Sequence, residues 1–466
     1  MTTIMEKSIK RINVIGEHII SVASVSQQQQ STLKSKMNQQ QQQSNENDSV
    51  LLEKHENNTT VITLNRLKQL NVLNTHIFVN LNKKLLNYAN NDNAHLLVLK
   101  GAGEKAYCAG GDIKELTSQT RKLGYSFPKY FFTHEYNMDY TAATLKKPTV
   151  VFWDGISMGG GLGVSIHSTF RIVTERTVWA MPEVSIGLFP DVGGSYFLAR
   201  LPDSLGNYLG ITGKSISGAD CLKFGIATHY VESSKLPELE RKLITLVNSQ
   251  DRNKIEAIIN EFASQPKQPS KLLQDWPLIQ QCFANRFNNV QEILDALEAS
   301  KTKWGSDLVK LIRTKSPTSV KIAFRQVKEG NRSLEEIFTM EYRIAIRCLE
   351  SPDFFEGITT HVDHDDEEHC KYCRRKTTSI PLNYVNFADS NSLSLQLQSN
   401  SNEICKNIVT QKKTTSNLFK EFINNHLWMG DRINQYEHLF YLAKLKTKNS
   451  KVNFHSNQQS LQLQSS

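Results

Sequence analysis

Two glycine-rich turns, each placed directly after a strand-like apolar run, limit how this chain can fold. The first is Lys100–Asp112 (KGAGEKAYCAGGD), which follows the run Leu96–Leu99. The second is Met158–Gly163 (MGGGLG), which follows Thr149–Trp153 and opens an amphipathic stretch. Because glycine has no side chain, such turns let a backbone N–H approach a ligand oxygen at a helix N-terminus. Two of them can direct two amides at one oxygen, which is the arrangement of an oxyanion hole.

Two acidic residues follow the second turn at positions that could bring carboxylates beside it. Glu183 comes after Pro182 and before a strand-like Val184–Ile186, and Asp191 lies in the segment Pro190–Ser195 (PDVGGS). A carboxylate at Glu183 can attack a carbonyl carbon as a nucleophile or activate a water molecule as a general base. Asp191 can act on a substrate, or it can serve as the N-cap of the short turn after it.

Short β-rich runs alternate with helical patterns between residues 61 and 231, which indicates βαβ-like units and an α/β fold. From Pro237 to Glu350 the apolar spacing is helical throughout, which predicts a C-terminal layer of helices. The predicted strands are Val61–Leu64, Leu96–Leu99, Thr149–Trp153, Phe170–Thr174 and Thr228–Val231, with a helical pattern at Asn74–Ala89.

Several segments together are similar to those of a known group of proteins. They are ITLNR (Ile62–Arg66), KGAGEKAYCAGGDIKEL (Lys100–Leu116), FFTHEY (Phe131–Tyr136), MGGGLG (Met158–Gly163), MPEVSIGLFPDVGGSYFLARL (Met181–Leu201), GIATHYV (Gly225–Val231), SPTSVKI (Ser316–Ile322) and TMEYR (Thr339–Arg343). With them the chain resembles the enoyl-CoA hydratase/isomerase (crotonase) superfamily, and within it the 3-hydroxyisobutyryl-CoA hydrolases. The resemblance covers about residues 50–357, and its motifs are specific to the hydrolase branch.

The resemblance implies a crotonase-like spiral of ββα units with a helical C-terminal layer. It also implies an acyl-CoA thioesterase that converts 3-hydroxyisobutyryl-CoA to 3-hydroxyisobutyrate and CoA in valine catabolism. The oxyanion hole would consist of the backbone N–H groups of Gly111 and Gly160, and the catalytic residues would be Glu183 and Asp191. The substrate-binding residues would be Glu135, Gly160, Glu183 and Asp191, with Asp191 on the 3-hydroxyl group. No cofactor and no metal are expected, since CoA is part of the substrate.

Position 163 distinguishes hydrolysis from hydration. Classical hydratases of the superfamily have a second catalytic glutamate three residues after the central glycine of this turn, where the present chain has Gly163. Addition of water across a double bond requires two carboxylates in concert, so enoyl-CoA hydratase or isomerase activity is disfavoured. Thioester hydrolysis requires an oxyanion hole and one good carboxylate, and the sequence retains both.

The contacts to the CoA nucleotide come, in this superfamily, from the first glycine turn and the LNR segment. The corresponding residues here are Arg66, Lys68, Lys100 and Asp112–Lys114. The segment LNRLKQLNVL departs from the usual pattern because Leu67 replaces a proline and Val72 an alanine. Loss of the proline frees one backbone dihedral, and weaker binding of CoA is one expected consequence.

The sequence divides into four predicted parts. Residues 1–49 form a Gln/Asn/Ser-rich extension that is expected to be disordered and can carry a targeting signal. Residues 50–235 form the crotonase-like α/β core, and residues 236–357 form the helical layer. Residues 358–466 are a divergent polar tail with one amphipathic helix at Asn417–Lys444. The tail also contains His361, His364, His369, Cys370 and Cys373, whose irregular spacing favours a solvated segment over a zinc site.

Composition limits the cellular context and the partners. Seven scattered cysteines favour a reducing compartment over a disulfide framework. A net charge of +9 suits an anionic ligand such as CoA but does not exclude RNA. No apolar run approaches the length of a membrane-spanning helix. The resemblance implies an acyl-CoA substrate as the partner, without nucleic acid or membrane, and the chain can form a homo-oligomer.

Localisation and one rival function remain as alternatives. Lys7, Lys10 and Arg11 suit a mitochondrial targeting segment, Glu6 and Glu17 depart from a typical one, and a cytoplasmic protein is the alternative. A hydrolase-like protein is a component of some mitochondrial ribosomes, so a non-catalytic ribosomal subunit is the rival to an enzyme. The retention of both glycine turns and both acids favours the enzyme.

Overall fold

The computed structural model describes residues 49–361, which contain ten β-strands. They are β1 (Val50–Lys54), β2 (Thr59–Leu64), β3 (Leu96–Gly101), β4 (Ala106–Cys108), β5 (Thr149–Trp153), β6 (Ile156–Met158), β7 (Phe170–Val173), β8 (Val178–Ala180), β9 (Ile216–Ser217) and β10 (His229–Tyr230). Six of them form one sheet in the order β1-β2-β3-β5-β7-β10. The other four form a second sheet in the order β4-β6-β8-β9.

The six-stranded sheet is parallel except at one edge, where β1 pairs antiparallel with β2. Every residue of β2 and β5 is buried. Strands covered on both faces read as continuous apolar runs, which is why the sequence pattern identified them. The five predicted strands are all present, and the last is shortened to His229–Tyr230.

The second sheet was not predicted, because its strands are only two or three residues long and carry no measurable periodicity. It nevertheless defines the architecture. Three times the chain passes from a strand of the first sheet to a strand of the second and then into helical structure: β3 and β4, β5 and β6, β7 and β8. These successive ββα units confirm the predicted α/β class and the crotonase-like spiral.

Fifteen helices lie within the described residues. They are α1 (Thr75–Ala89), α2 (Ile113–Leu123), α3 (Ser126–Ala143), α4 (Gly160–Gly163), α5 (Gly194–Leu198), α6 (Leu205–Thr212), α7 (Gly218–Lys223), α8 (Leu236–Thr245), α9 (Arg252–Phe262), α10 (Leu272–Cys282), α11 (Val290–Ala299), α12 (Lys303–Arg313), α13 (Pro317–Glu329), α14 (Leu334–Glu350) and α15 (Pro352–His361). Three short 3₁₀ turns, Leu67–Gln69, Glu183–Ile186 and Ser233–Lys235, complete the description.

Side-chain caps set several helix starts. The Asn74 side chain accepts a hydrogen bond from the Ile77 N–H at the start of α1, and Asp112 does the same for Glu115 in α2. Ser333 and Glu336 form a capping box that starts α14. Such caps satisfy N–H groups that have no partner inside the helix, so they fix where each helix begins.

The helices after residue 235 pack against the α/β part. Leu239 of α8 and Ile255 of α9 are fully buried in one apolar cluster with Val61, Leu96 and Val150 of the large sheet. Helices α13, α14 and α15 contact the short segments around Glu183 and Gly194 instead. The C-terminal helices therefore cover the sheet at one place and the segments with the predicted catalytic residues at another.

Some sequence expectations concern residues beyond those described. The N-terminal extension up to residue 48, the tail helix at Asn417–Lys444 and the tail histidines and cysteines after His361 lie outside the described residues. Between residues 49 and 361, Cys108, Cys221, Cys282 and Cys348 are buried free thiols. No helix in that range is both long and apolar enough to cross a membrane.

Candidate active site

The two glycine turns meet. Gly111 lies between β4 and α2, and Gly160 is the first residue of α4. A β-carbon built on Gly160 would lie 3.2 Å from the backbone nitrogen of Gly111, and one built on Gly110 would lie 3.6 Å from that of Gly160. Gly110 and Gly159 have φ values of 106° and 49°, a range that L side chains rarely adopt. The fold thus brings together the two amides that the sequence singled out.

Both amides are available to a ligand. Within residues 49–361, neither the Gly111 N–H nor the Gly160 N–H donates a hydrogen bond. Gly160 is at the start of its helix, where N–H groups have no partner in the preceding turn. Unpaired amides in a partly buried position are unusual, because a donor without an acceptor is costly. An oxygen atom that carries developing negative charge would satisfy both.

Glu135 lies directly against the amide pair. Its side chain extends from α3 and is 3% exposed. The Oε1 atom is 3.2 Å from a β-carbon built on Gly111, and any β-carbon on Gly160 would overlap with it. Gly160 must therefore remain glycine for two reasons, the approach of the ligand and the position of Glu135.

Glu183 comes to the same place from a 3₁₀ turn, Glu183–Ile186, so the strand-like interpretation of residues 184–186 is wrong. Gly187, with φ 75°, ends the turn, and this local geometry overrides the strand preference of valine and isoleucine. The Oε1 atom of Glu183 lies 2.9 Å from a β-carbon built on Gly159. Its Oε2 atom is buried without a hydrogen-bond partner among the described residues, so it is free to act on a ligand.

Asp191 is held by a tyrosine. Its Oδ2 atom accepts a hydrogen bond of 2.7 Å from the hydroxyl of Tyr136, one residue after Glu135 on α3. The N-cap of the following helix α5 is Gly193, which has no side chain, and the Asp191 carboxylate caps nothing there. Only the backbone oxygen of Asp191 joins the turn, by accepting from the Gly194 N–H at 2.7 Å. The geometry leaves the second carboxylate oxygen for other contacts.

The three acids near the amides all have raised pKa values. Burial raises the pKa of Glu135 and of Glu183 well above the usual range, and the charge of Asp191 adds to both effects. Burial also raises the pKa of Asp191 to about 6, although the hydrogen bond from Tyr136 opposes the shift. A raised pKa makes the ionised form of a carboxylate a stronger base and lowers the fraction that is ionised near neutral pH.

The structure adds two buried acids that the sequence did not single out. Asp139 lies one turn after Glu135 on α3, is fully buried, and both its carboxylate oxygens lack a partner among the described residues. Glu341 of α14 is fully buried and accepts hydrogen bonds from the N–H groups of Gly193 and Ser195. The four-residue spacing of Glu135 and Asp139 was a signal for the first. Glu341 lies in the matched segment TMEYR, but nothing local reveals its partners.

Gly163 has no room for a side chain. A β-carbon built there would lie 2.6 Å from Cβ of Val192 and 2.8 Å from Cγ and Oδ1 of Asp139. Heavy atoms at such distances must move apart, so the position excludes a glutamate in the present packing. The structure thus supplies a steric reason for the glycine, in addition to the absence of a carboxylate that the sequence showed.

Replacing Gly163 with alanine is expected to lower the free energy of unfolding by about 1–3 kcal/mol, because the added methyl group overpacks the site. Urea denaturation measures the change. Gly210 in α6 is a matched control, since a β-carbon there meets its nearest neighbour at an ordinary 3.4 Å. Gly210→Ala should be neutral or stabilising by up to about 1 kcal/mol. Equal effects of the two substitutions would contradict the steric explanation.

The residues predicted to contact the CoA nucleotide are partly engaged with one another. Arg66 forms an ion pair of 2.9 Å with Asp112 and also donates to the Val72 carbonyl oxygen. Lys100 pairs with Glu240 of α8. Lys68 is exposed, and its neighbour Leu67 has 57% of its surface accessible. Arg66 is therefore fixed by its contacts, whereas Lys68 can approach a phosphate group.

The stability of the folded chain is expected to fall between about pH 6.5 and pH 8. Burial raises the pKa of Glu341 from 4.5 to about 8, and Asp191 adds to the shift, so the folded chain retains a proton that the unfolded chain has lost. Each such group lowers the unfolding free energy by up to about 1.4 kcal/mol per pH unit. Glu183 and Asp139 face the same region, and their pKa values are raised as well, so they add to the loss; the pKa of Tyr136 is also raised, but from 10.0, so it acts only at higher pH.

Groups whose pKa is lowered on folding have the opposite effect on stability, and they act at lower pH. Burial lowers the pKa of His167 from 6.5 to about 4. Its contribution to the unfolding free energy therefore increases with pH only between about pH 4 and pH 6.5. Burial raises the pKa of Asp220, but its hydrogen bonds from Ser217, Leu272 and Ser270 together outweigh burial and lower the pKa, so its contribution to stability is lost only as pH falls through still lower values. Thermal unfolding at several pH values tests the prediction, and Glu341→Gln should flatten the profile. A wild-type stability that rises from pH 6.5 to 8 would contradict it.

Comparisons with known proteins find relatives of this chain. The family model described as "Enoyl-CoA hydratase/isomerase" matches residues 59–386. A protein of Xenopus laevis named "3-hydroxyisobutyryl-CoA hydrolase, mitochondrial" is 41% identical over 330 residues, which are 70% of this chain and 84% of the relative. The human protein of the same name is 40% identical over 305 residues, 64% of this chain and 78% of the relative.

Solved structures show the same likeness. A carnitinyl-CoA dehydratase from Mycobacterium thermoresistibile has a TM-score of 0.67 and 32% sequence identity, and the match covers 74% of this chain and 98% of that one. An enoyl-CoA hydratase from Rhodobacter sphaeroides 2.4.1 has a TM-score of 0.64 and 28% identity, over 72% of this chain and 95% of that one.

Proposed function

The chain belongs to the enoyl-CoA hydratase/isomerase family, and on that premise we propose that it hydrolyses 3-hydroxyisobutyryl-CoA to 3-hydroxyisobutyrate and CoA. The observation that carries the proposal is the convergence of two unpaired amides, Gly111 and Gly160, with the buried carboxylate of Glu183. The relatives of about 40% identity that bear the name of this hydrolase support the same reaction, which would act in valine catabolism.

The oxyanion hole would act on the thioester carbonyl oxygen. Attack on the carbonyl carbon transfers negative charge to that oxygen, and the N–H groups of Gly111 and Gly160 would stabilise it without rearrangement. The loss of one such donor typically lowers the rate by about 10²–10³-fold. The carbon–sulfur bond then breaks, and the CoA sulfur leaves with its electron pair and takes up a proton.

Glu183 would supply the attack in one of two ways. As a general base it takes a proton from water, whose oxygen bonds to the carbonyl carbon. As a nucleophile it bonds to that carbon itself, and water then cleaves the mixed anhydride. A raised pKa makes the ionised form of Glu183 a stronger base, which suits the first role, and it lowers the ionised fraction near neutral pH. A single turnover in ¹⁸O-water that leaves label in Glu183 would identify the anhydride route, in which water attacks the glutamyl carbon and the acyl carboxylate departs.

Asp191 and Glu135 would orient the substrate. Asp191 is oriented by Tyr136, which leaves one carboxylate oxygen to accept a hydrogen bond from the 3-hydroxyl group. Glu135 lies against the amide pair and would contact the acyl group beside the thioester. No cofactor is part of this proposal. The partner is the acyl-CoA itself, and a homo-oligomer without nucleic acid or membrane contacts is proposed as the assembly.

Release of free thiol from a panel of short-chain acyl-CoAs tests the function. We expect faster release from 3-hydroxyisobutyryl-CoA than from isobutyryl-CoA, and no hydration of crotonyl-CoA above background. Rapid hydration of crotonyl-CoA without thiol release would refute the assignment. Sedimentation of the native protein with ribosomal particles, together with a lack of thiol release, would favour the structural subunit instead.

We propose a mitochondrial location for the enzyme. The support comes from relatives whose names include that compartment. Fractionation of cells that express the full chain with a C-terminal tag tests it, and the protein should be recovered with the mitochondrial matrix. Recovery in the soluble cytoplasmic fraction would reject this location.

A further inference from the structure

The turn after Asp191 is held from outside by a single carboxylate. Glu341 of α14 accepts the Gly193 N–H at 2.7 Å through Oε2 and the Ser195 N–H at 2.8 Å through Oε1. The Glu341 side chain is fully buried. Both of its oxygens are therefore used on the backbone of one short turn, 148 and 146 residues away in sequence.

The backbone that donates hydrogen bonds to the Glu341 carboxylate is strained. Val192, between Asp191 and Gly193, has a φ of 52°, and the next residue, Gly193, has a φ of 87°. A positive φ is a genuine outlier for a β-branched residue, and such conformations persist only where surrounding contacts fix them. Val192 is also buried, so it has no freedom to relax outward.

Helix α14 also supports the other side of Asp191. Phe338, one turn before Glu341, packs against the ring of Tyr136 with centroids 5.8 Å apart. Tyr136 in turn donates its hydroxyl to Asp191. One helix face thus fixes the backbone on which Asp191 sits and the aromatic ring that orients its carboxylate.

We propose that Glu341 is a positioning residue, which holds the strained turn Asp191–Ser195 so that the Asp191 carboxylate faces the substrate. The proposal rests on the proposed function, because it assigns to Asp191 the 3-hydroxyl group of the substrate. Glu341 would not touch the substrate. Its effect would pass entirely through Asp191, which makes the proposal separable from a general role in folding.

Hydrogen exchange tests the hold on the turn without any assay of activity. Above about pH 8 Glu341 is a carboxylate that accepts through both oxygens, whereas the side-chain nitrogen of glutamine cannot accept a hydrogen bond; in Glu341→Gln, measured at about pH 9, one of the two amides therefore loses its acceptor at nearly constant volume. Amides in a peptide that spans residues 190–198 should then exchange at least about tenfold faster than in the wild type. Peptides from the large sheet should be unchanged. Equal exchange at residues 190–198 would overturn the proposal.

A double-mutant cycle tests whether Glu341 acts through Asp191. Glu341→Gln alone should lower kcat for 3-hydroxyisobutyryl-CoA by about 10²-fold, the typical loss for a misplacement of about 1 Å. It should lower kcat less for isobutyryl-CoA, which has no 3-hydroxyl group. In the Asp191→Asn background the same change should add little, about threefold or less. Losses that multiply in the double variant would overturn the proposal, because they would mean independent effects.

Asp220 provides a matched control. Its buried carboxylate also accepts two backbone N–H groups, those of Ser217 and Leu272, each at 2.9 Å. It joins α7 to α10, which carry no proposed catalytic residue. Asp220→Asn should lower the melting temperature but leave the ratio of the two substrates' kcat values unchanged. A similar change of ratio in both variants would show that Glu341 is merely structural.

The two proposals fail in different ways. A wild-type protein that releases no thiol from any acyl-CoA would refute the proposed hydrolase. The exchange measurement would then decide by itself whether Glu341 holds the turn. If Glu341→Gln releases thiol normally and its ratio of kcat values for the two substrates is unchanged, the proposed hydrolase activity is retained. The positioning role is then overturned.

Discussion

Glu183→Gln is expected to lower thiol release from 3-hydroxyisobutyryl-CoA by about 10²–10⁴-fold, the range typical for loss of an acid–base group. Glutamine has nearly the same shape but can neither take a proton from water nor attack the carbonyl carbon. The fold should survive, since the Oε2 atom of Glu183 has no partner among the described residues. Circular dichroism and a thiol assay on the same sample measure both quantities.

Glu298 is a suitable control for this substitution. It is a half-exposed glutamate of α11, paired with Arg313 on α12 at 2.9 Å. Exposed pairs of this kind contribute little to stability, so Glu298→Gln should retain wild-type turnover and melting temperature. Near-normal turnover in a folded Glu183→Gln variant would remove Glu183 from the catalytic role.

Asp191→Asn should reduce turnover of 3-hydroxyisobutyryl-CoA by about 10²-fold and that of isobutyryl-CoA clearly less. The asparagine keeps an oxygen for the Tyr136 hydroxyl, so the loss should come from the atom that faces the substrate. A charged acceptor makes a hydrogen bond about twice as strong as a neutral one, and only the 3-hydroxyacyl substrate can benefit.

Steady-state kinetics with the two substrates, on the wild type and the variant, give the comparison. Tyr136→Phe is the companion variant, because it removes the orienting hydroxyl and keeps the carboxylate. It should show the same preference in a weaker form. Equal losses on both substrates in Asp191→Asn would reject the contact with the 3-hydroxyl group and leave Asp191 with a role that does not depend on it.

The sequence predicted those parts of the site that local patterns specify. The glycines of both turns are required by backbone geometry at Gly110 and Gly159, and such requirements are visible in sequence. Glu183 and Asp191 could be named because each follows a recognisable turn. The positions of these residues relative to one another came from the resemblance to known proteins, and the structure brings the glycine turns and Glu183 together as the resemblance implied.

What the sequence did not reveal depends on contacts between distant segments. Glu341 bonds to amides almost 150 residues earlier, and no pattern around it encodes that distance. The second sheet escaped prediction because its strands are too short for a period of two to be recognised. The Glu183–Ile186 segment has the composition of a strand, yet the chain geometry at Gly187 makes it a turn.

The packing around Gly163 limits how substitutions can change a hydrolase site of this kind into a hydratase site. A glutamate at 163 would have to displace both Asp139 and Val192, which occupy the space where its first carbon would go. Glutamate at 163 alone therefore gives an overpacked site, and its effect depends on which residues already stand at 139 and 192. A library that varies all three positions together should yield folded variants that glutamate at 163 alone does not give. Conversion between hydrolysis and hydration thus depends on three coupled positions, 139, 163 and 192, rather than on one residue.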